Sequence, residues 1–495
     1  MKLRHWGIVL AAALAWAALR NPALLHAATA PATATSTGES TGTQGTDEAT
    51  LTDAQRAALE KSADAAAVAA KSAIDASNPK HLPAFPGAEG FGALATGGRG
   101  GEIVHVTNLN NAGPGSFREA VSKPNRIVVF DVGGIIKIGQ EITVSSNITI
   151  AGQSAPGEGI CIYGNGVSLG GQSNIIVRYL RFRQGIAGDR GKKALGADHS
   201  SNIIIDHCSV EWGRWDDIGF TVGSTAITLQ NCIMAEGIHP QSLGALIDTV
   251  TNITLSHNLW MSNESRNPKA KGTIQYINNV VYNWSITGLC GGHSGANHDL
   301  DVINNYFIKG PSSNNQFAGQ FTATDHVYQA GNFADLDLDG ALNGKPVVAA
   351  GFTDKGGSPT FVRAPALHPL MAVTIDSAQA AYAKIVAEAG CSLHRDAVDL
   401  RLITELKTLG KTGKTLTHTD DKGEALAGGM GEIKTGPSLV DTDHDGIPDE
   451  WEKAHGLDPK DPTDAKKLDA SGYLNIEIYL NSLATPAAAP VSATK

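Results

Sequence analysis

Short β-rich runs recur through the middle of the chain, about two dozen residues apart and slightly irregular in spacing. Each run leads into a polar turn with Asn or Cys at a matching position: Cys208, Cys232, Asn258, Asn279, Asn305 and Asn332. Units of this length cannot bury a hydrophobic face alone, so they stack and share one continuous core. The repeat therefore predicts an all-β solenoid, a parallel β-helix in which each unit forms one coil.

The register of the repeat gives the Asn and Cys positions a structural meaning. Stacked on successive coils, inward-facing Asn side chains can hydrogen-bond to one another and to turn backbone groups that would otherwise lack partners. Cys208 and Cys232 are then small buried members of the same ladder and not a redox pair. A β-sandwich is the competing interpretation, but the Asn-Gly and Asp-Gly turns expected between its strands are scarce.

The regions that flank the repeats differ from them in composition. Residues 1–30 begin with two basic residues, Lys2 and Arg4, which precede a short apolar run and then small residues. This order predicts a secretory signal and a secreted or periplasmic protein; an uncleaved anchor is the alternative. Residues 31–80 are rich in Ala, Thr and Ser and predict a linker that ends in a solvated helix or a further tether. The β-helix is expected over 81–365, a helical extension and linker over 366–436, and a distinct tail over 437–486.

Charge and hydropathy exclude several classes of protein. The formal net charge of −10 argues against a nucleic-acid partner, which would favour a basic face. After residues 1–30, no run is long and apolar enough to span a membrane, so the mature protein is expected to be soluble. The five cysteines form no dense disulfide framework. We expect a monomer.

The tail contains the sharpest local motif of the sequence. Oxygen-bearing residues stand at positions one, three, five, nine and twelve of one loop, with Gly at six and an apolar residue at seven: Asp441, Asp443, Asp445, Asp449, Glu452, Gly446 and Ile447. This spacing is typical of an EF-hand-type loop, in which hard oxygen ligands, including the backbone carbonyl at position seven, surround Ca²⁺. A solvated acidic face is the alternative. The motif predicts a structural calcium site.

Several longer motifs follow one another in a fixed order: Phe85-Pro-Gly-Ala-Glu-Gly-Phe-Gly92, Gly97-Gly-Arg-Gly-Gly101, Gly113-Pro-Gly-Ser-Phe-Arg118, Asp206-His-Cys-Ser-Val-Glu-Trp-Gly213 and Arg266-Asn-Pro-Lys-Ala-Lys271. By these motifs the sequence resembles polysaccharide lyase family 1, the pectate lyases, from Phe85 to Leu409. The resemblance implies a right-handed parallel β-helix with small helical additions at its C-terminal end, in agreement with the repeat. It also implies a lyase that cleaves pectate or pectin, an acidic polysaccharide, by β-elimination.

The resemblance assigns roles to three basic residues. The family's Arg-x-Pro-x-x-Arg/Lys pattern falls on Arg266 and Lys271, which implies that Arg266 removes the C5 proton of a uronate while Lys271 holds a substrate carboxylate. Lys269, between them, is expected to bind substrate as well. An arginine is a poor base because it is almost always protonated, and cations near it would favour its neutral form. A surface Arg266 paired with Glu264 is the alternative.

Three positions depart from the family's pattern. Lys193 occupies the position of a calcium-binding Asp, Phe220 that of a further carboxylate, and Gln241 that of a Lys that contacts substrate. The resemblance therefore implies an incomplete catalytic calcium site at Asp216 and Asp217. Lys193 then supplies the missing positive charge; alternatively, the substrate is another uronate-containing polymer.

The cleft of such an enzyme must be locally basic to hold an acidic polymer. Arg178, Arg181 and Arg183 are further candidates to line it, and the last two share one face of a predicted strand. His207 and His257 stand at the turn of the ladder, where buried hydrogen-bonding histidines are expected rather than catalytic ones.

Two other functions remain open at this point. A β-helical glycoside hydrolase would use a pair of carboxylates such as Asp216 and Asp217 as acid and base. A non-catalytic polysaccharide-binding protein would not require Arg266. An unsaturated product that absorbs in the ultraviolet distinguishes a lyase from both alternatives.

Overall fold

The structure of the protein is a computed structural model that describes residues 53–484. The predicted secretory signal, residues 1–30, lies outside the described residues, as does most of the Ala/Thr/Ser-rich linker. Within the described range, no helix is both long and apolar enough to cross a membrane.

Helices stand mainly at the two ends of the described chain, and strands fill its middle. The helices are α1 (Asp53–Ser77), α2 (Phe117–Ala120), α3 (Ala378–Glu388), α4 (Ala397–Lys407), α5 (Asp449–His455) and α6 (Asn475–Leu483). The strands are β1 (Glu102–Val106), β2 (Arg126–Phe130), β3 (Gly134–Lys137), β4 (Ile142–Thr143), β5 (Ile148–Ala151), β6 (Ile160–Tyr163), β7 (Val167–Ser168), β8 (Ser173–Arg178), β9 (Leu180–Arg183), β10 (Leu195–Asp198), β11 (Ser201–Asp206), β12 (Ser209–Glu211), β13 (Asp216–Thr221), β14 (Thr225–Gln230), β15 (Ile233–Ala235), β16 (Leu243–Ser256), β17 (Leu259–Met261), β18 (Lys269–Ile277), β19 (Val280–Tyr282), β20 (Leu289–Cys290), β21 (His298–Ile303), β22 (Tyr306–Ile308), β23 (Ala318–Gly319), β24 (Asp325–Ala330), β25 (Phe333–Asp335), β26 (Lys345–Pro346) and β27 (Thr360–Phe361).

The strands of successive coils pair in parallel and form three columns along the molecule. One column is a ten-stranded sheet in which β3, β6, β9, β12, β15, β17, β19, β22 and β25 follow one another, so the described residues form nine coils. The other two columns join in a 17-stranded sheet, because the long strands β16 and β18 each run through both columns. The predicted parallel β-solenoid is confirmed.

Aliphatic side chains stack in register through the interior. Ile175, Ile203, Ile227, Ile253 and Ile274 are paired one above the next on five successive coils, and all five are buried. Burying one such side chain stabilises the fold by about 1.5–3 kcal/mol relative to leaving it in water. The repeat in the sequence therefore corresponds to a continuous core.

The predicted Asn and Cys ladder is present at one turn of the coils. The backbone N–H of Cys232 donates to Asn258 Oδ1 at 2.9 Å, that of Asn258 to Asn279 Oδ1 at 3.1 Å, and that of Asn279 to Asn305 Oδ1 at 2.8 Å. Asn305 in turn donates to Asn332 Oδ1 at 2.9 Å. The ladder thus satisfies backbone N–H groups that the sheets leave unpaired. All five cysteines, which lie within the described range, are buried and unpaired.

The helices after the solenoid pack on the outside of the ten-stranded sheet. Ile385 of α3 and Leu402 of α4 belong to one apolar cluster with Leu259 and other outward-facing strand residues. Near the start of the described chain, α1 buries Ala70 and Ile74, while most of its other residues whose burial the structure describes are exposed.

Arg181 and Arg183 do not line a cleft, so that part of the sequence interpretation is wrong. Both are fully buried between β9 and α4, where Arg183 donates to Glu211 at 2.9 Å and to Asp399 at 2.8 Å, and also pairs with Asp396. The two arginines do share one strand face, but that face is covered by α4. Buried charges require such partners because water no longer solvates them.

Arg178 is also removed from any cleft. Its guanidinium donates to Asp206 at 2.8 Å and stacks on the ring of Phe85 at 3.7 Å, and the side chain is buried. Arg178 therefore joins the N-terminal segment to the solenoid and has a structural role.

Candidate active site

Arg266 lies in the turn that enters β18, with its side chain 18% exposed. Its backbone φ is +58°, in the left-handed region, which costs a residue with a side chain about 1–2 kcal/mol. The turn is held in place because the Arg266 carbonyl accepts the N–H of Ala245 at 2.7 Å. Gly244 permits this approach, since a β-carbon there would lie 2.6 Å from the same carbonyl oxygen. The backbone thus presents Arg266 in one fixed direction.

The guanidinium of Arg266 pairs with Asp216, the first residue of β13, at 3.3 Å. The Asp216 side chain is fully buried, and burial raises its pKa, while Arg266 and Lys193 act in the opposite direction. The alternative pairing of Arg266 with Glu264 does not occur, because Glu264 instead accepts from His418 Nδ1 at 2.8 Å. One buried carboxylate therefore lies beside two cationic side chains.

The side chain of Lys193 lies over a glycine of β13, near enough to Asp216 for its charge to oppose the rise in the pKa of that residue. Its Cε atom lies 2.4 Å from the position that a β-carbon on Gly219 would occupy. A side chain at position 219 of β13 would therefore displace the lysine from this position. Lys193 precedes β10, Asp216 begins β13 and Arg266 precedes β18, so the structure brings together residues from three coils, with the coil of β16 between the last two.

Lys271 and Lys269 lie on β18, two residues apart and so on one face of the strand. The Lys271 side chain is mostly buried, and its Nζ atom lies 3.5 Å from Asp248 Oδ2, the residue opposite it in the strand register. Sequence reasoning missed Asp248, because only the register between β16 and β18 shows that the two residues meet. Gln241 is half-buried in the turn before β16.

Asp217 is adjacent to Asp216 in sequence but has different surroundings. Its Oδ1 atom accepts the N–H of Gly213 at 2.9 Å. Burial raises the pKa of Asp217 well above its usual range, and the nearby carboxylates of Glu211 and Asp216 add to that effect. Among the described residues, no group of three metal-ligating side chains includes Asp216 or Asp217.

The two ladder histidines make structural contacts, and His257 is buried while His207 is half-buried. His257 Nε2 lies 2.9 Å from Asp376, and the ring of His207 stacks on Tyr179 with 4.8 Å between ring centroids. His207 also pairs with Asp206, so both histidines are engaged in contacts that join parts of the fold.

The loop that carries the acidic motif of the tail is held by hydrogen bonds to its own carboxylates. Gly446 has a φ of +89°, its N–H donates to Asp441 Oδ2 at 2.9 Å, and the N–H of Ile447 donates to Asp445 Oδ1 at 2.9 Å. Asp449 accepts from both the N–H and the hydroxyl of Thr442, and so braces the loop from its far side.

A cluster of carboxylates lies at this loop, and one of its members comes from outside the loop. One oxygen from each of Asp441, Asp443 and Asp445 lies within 4.8 Å of the others, and the same holds for Asp445, Glu452 and Asp464. Burial, with the neighbouring carboxylates, raises the pKa of Glu452 to about 8 and that of Asp445 to about 6. Sequence reasoning missed Asp464, because it lies outside the twelve-residue spacing.

Comparison with known proteins gives related proteins over most of the chain. A probable pectate lyase C from Neosartorya fischeri is 44% identical over 403 residues, which cover 81% of this chain and 94% of that protein. A probable pectate lyase C from Aspergillus flavus is 43% identical over 404 residues, with the same two shares of 81% and 94%. Among solved structures, the thermostable pectate lyase PL 47 has a TM-score of 0.47 and 14% identity, and the match covers 64% of this chain and 99% of that one. No protein-family profile matches the chain.

The fold and these relatives together define a polysaccharide lyase built on a parallel β-solenoid. Identity above two-fifths over nearly the whole length of the relatives leaves little room for a different family. The chain belongs to the pectate lyase family. The resemblance inferred from the sequence motifs is thereby confirmed at the level of the family.

Proposed function

We propose that the protein cleaves pectate-type galacturonan by β-elimination, with Arg266 as the base. The observation that carries the proposal is the grouping of Arg266 and Lys193 around the single buried carboxylate of Asp216. Before Arg266 loses its proton to act as the base, and with Asp216 ionised, the three groups hold one net positive charge, which favours binding of a uronate carboxylate. The pectate lyase names of the relatives agree with this substrate.

The proposed reaction needs a cation near the substrate carboxylate. The C5 proton of a uronate becomes acidic when the adjacent carboxylate is neutralised and the developing enolate is stabilised. Lys193 and Lys271 supply that charge, while Arg266 in its neutral form takes the proton from C5. The electron pair of the C5–H bond forms the C4–C5 double bond, the C4–O4 bond breaks, and O4 takes a proton from solvent. Lys269 and Gln241 extend the binding surface along the polymer.

A catalytic Ca²⁺ at Asp216 and Asp217 fits these residues poorly. Two cationic side chains already flank Asp216, and a divalent ion placed there would meet both positive charges. We therefore assign the stabilising charge to Lys193 and Lys271, and the proposed reaction uses no metal at this site.

The tail is proposed to bind a structural Ca²⁺. Asp441, Asp443, Asp445 and Glu452 offer carboxylate oxygens, and the carbonyl of Ile447 stands at position seven of the loop. Asp449 accepts hydrogen bonds from the N–H and the hydroxyl of Thr442, and so holds the loop closed. We also propose that the enzyme is exported and acts as a monomer outside the cytoplasm. The order of basic, apolar and small residues in 1–30 supports export.

The proposed reaction is tested by the ultraviolet absorbance of unsaturated uronides on polygalacturonate and on methylated pectin, with Ca²⁺ or with chelator. Arg266→Ala is expected to lower kcat by about 10²–10⁴-fold, the contribution of a positioned acid or base. Arg363→Ala, which removes an exposed arginine after β27, serves as the matched control.

The same assay separates the alternatives. A glycoside hydrolase would release reducing ends without a rise in absorbance, and a binding protein would produce neither. A rise that Arg266→Ala leaves unchanged would remove Arg266 from the chemistry.

A further inference from the structure

The calcium loop contains carboxylate oxygens that the described protein leaves without hydrogen-bond partners. There are seven such buried oxygens among residues 53–484 in this region, on Asp441, Asp443, Asp445, Glu452 and Asp464. Glu452 is decisive, since its side chain is fully buried and neither of its oxygens has a partner among the described residues. Ca²⁺ takes six to eight oxygen ligands. The fit in number and in chemistry indicates one cation.

Asp464 belongs to this group although it comes twelve residues after the loop ends. Its Oδ2 atom accepts the N–H of Asp458 at 2.9 Å, which fixes the carboxylate. Its Oδ1 atom is buried, has no partner within the described range, and lies in the cluster with Asp445 and Glu452. One ligand of the site therefore comes from the turn that follows α5.

A second loop in the tail has the same form but not the same ligands. Gly472, like Gly446, has a φ of +89°, and each glycine stands three residues before a helix. Counting from the glycines, Lys467 takes the place of Asp441, and Ile478 takes the place of Glu452. Lys467 pairs with Asp461 at 2.9 Å. A lysine and an isoleucine at the first and last positions leave the second loop unable to surround a cation.

The calcium loop, residues 441–452, lies directly on the first coils of the solenoid, which comprise β1 to β3. A β-carbon on Gly446 would lie 3.0 Å from Ile103 of β1, and Ile447 belongs to one apolar cluster with Ile127 and Val129 of β2. His105 of β1 contacts the carbonyl of His444 at 3.2 Å. The residues that would hold the cation and the residues that contact the solenoid thus alternate along one short loop.

We propose that a single Ca²⁺, bound by the first loop and by Asp464, fixes the tail on the first coils and stabilises them. This inference rests on the calcium site of the proposed function. It adds Asp464 as a ligand from outside the loop, a stoichiometry of one Ca²⁺, and the stabilisation of β1 and β2 by that ion. Binding draws Asp464 and Glu452 together, and so joins the turn after α5 to the loop that carries Ile447.

The test uses the full chain, stripped with chelator and titrated with Ca²⁺ in a calorimeter. Asp464→Asn is expected to raise the Kd of the tail site at least about tenfold, since even outer partners of a metal contribute that much. Asp469→Asn is the matched control: Asp469 holds the third position of the second loop, is exposed, and accepts from Ser471. It is expected to leave the Kd unchanged.

Hydrogen exchange on the same samples measures the effect on the solenoid. Removing Ca²⁺ from the wild type is expected to speed amide exchange in β1 and β2 but not in β22 and β25. The protection of β22 and β25 also shows whether Asp464→Asn has folded. The inference would be overturned if Asp464→Asn bound Ca²⁺ with the wild-type Kd, or if amide exchange in β1 and β2 were the same with and without Ca²⁺. Product absorbance on polygalacturonate, recorded in parallel, decides the lyase activity independently of either result.

Discussion

The side chain of Lys193 lies across Gly219, with its Cε atom 2.4 Å from where a β-carbon of that glycine would be. Gly196, which pairs with Gly219 one coil earlier, has only ordinary contacts, and its nearest neighbour would be Lys193 Cδ at 3.5 Å. A β-carbon at position 196 therefore fits beside Lys193, whereas one at position 219 would clash with it, although the two glycines stack in the same column.

Gly219→Ala is expected to displace Lys193 and to lower kcat/KM by about tenfold to a hundredfold, as small misplacements of catalytic groups do. Gly196→Ala is the control and is expected to leave kcat/KM unchanged. In a Lys193→Ala background, Gly219→Ala should have no further effect, because the residue that it displaces is gone. A full additional loss in that background would show that the alanine acts on the strand and not on the lysine.

The hydrogen bonds of the ladder predict that replacing one of its asparagines lowers the free energy of unfolding. Asn279→Ala removes the acceptor for the N–H of Asn258 and the donor to the carbonyl of Leu255. Each buried group left without a partner costs about 1–3 kcal/mol. Urea unfolding should show a loss of that order or larger, while the exposed Asn110→Ala should change the free energy of unfolding little.

The buried charges under α4 predict a larger loss. Arg183→Met leaves Glu211, Asp396 and Asp399 buried with one cation fewer, which is expected to destabilise the protein by about 3–5 kcal/mol. The matched control is Lys71→Met, which breaks the exposed Lys71–Asp75 pair on α1, where about 0–1 kcal/mol is expected. Equal effects of the two changes in urea unfolding would contradict this assignment.

Asp206 predicts a dependence of stability on pH. Burial alone would raise the pKa of Asp206, but His207 and Arg178 together hold it well below its usual range. The folded state therefore binds this proton less tightly than the unfolded state. The contribution of Asp206 to stability is full above about pH 4 and declines as the pH falls further.

Asp206→Asn removes that contribution. The difference in free energy of unfolding between wild type and Asp206→Asn should accordingly be largest near neutral pH and shrink towards pH 3. Urea titrations at several pH values measure it. A difference that stays constant down to pH 3 would mean that Asp206 is not held ionised by its neighbours.

The solenoid could be predicted from sequence because its information is local and repeated. Ile203, Ile227 and Ile253 recur at intervals of 24 and 26 residues, and Asn258, Asn279 and Asn305 at intervals of 21 and 26. Each coil repeats the same evidence, so a few irregular spacings do not obscure the register. The EF-hand-type loop, which stays a prediction, could be proposed from sequence for a similar reason, since its motif lies within twelve residues.

Contacts between distant segments could not be predicted in the same way. Arg183 and Asp396 are 213 residues apart, and nothing near Arg183 in the sequence shows that a helix covers its face of β9. Lys193 and Gly219 meet only because two coils are stacked, and Asp464 reaches the loop only because the chain turns back after α5. In each case the strand or loop was predictable, and the partner was not.

The contact between tail and first coils has a consequence for the order in which the protein is completed. Arg99 donates to Glu477, which follows it by 378 residues, and the Tyr473 hydroxyl donates to the carbonyl of Pro83 at 3.0 Å. Pro83 and Arg99 leave the ribosome long before Tyr473 and Glu477 are synthesised. The segment before β1 therefore lacks these two partners until Tyr473 and Glu477 are synthesised, and a chain truncated before α5 would be defective near the start of the described chain as well as at the point of truncation.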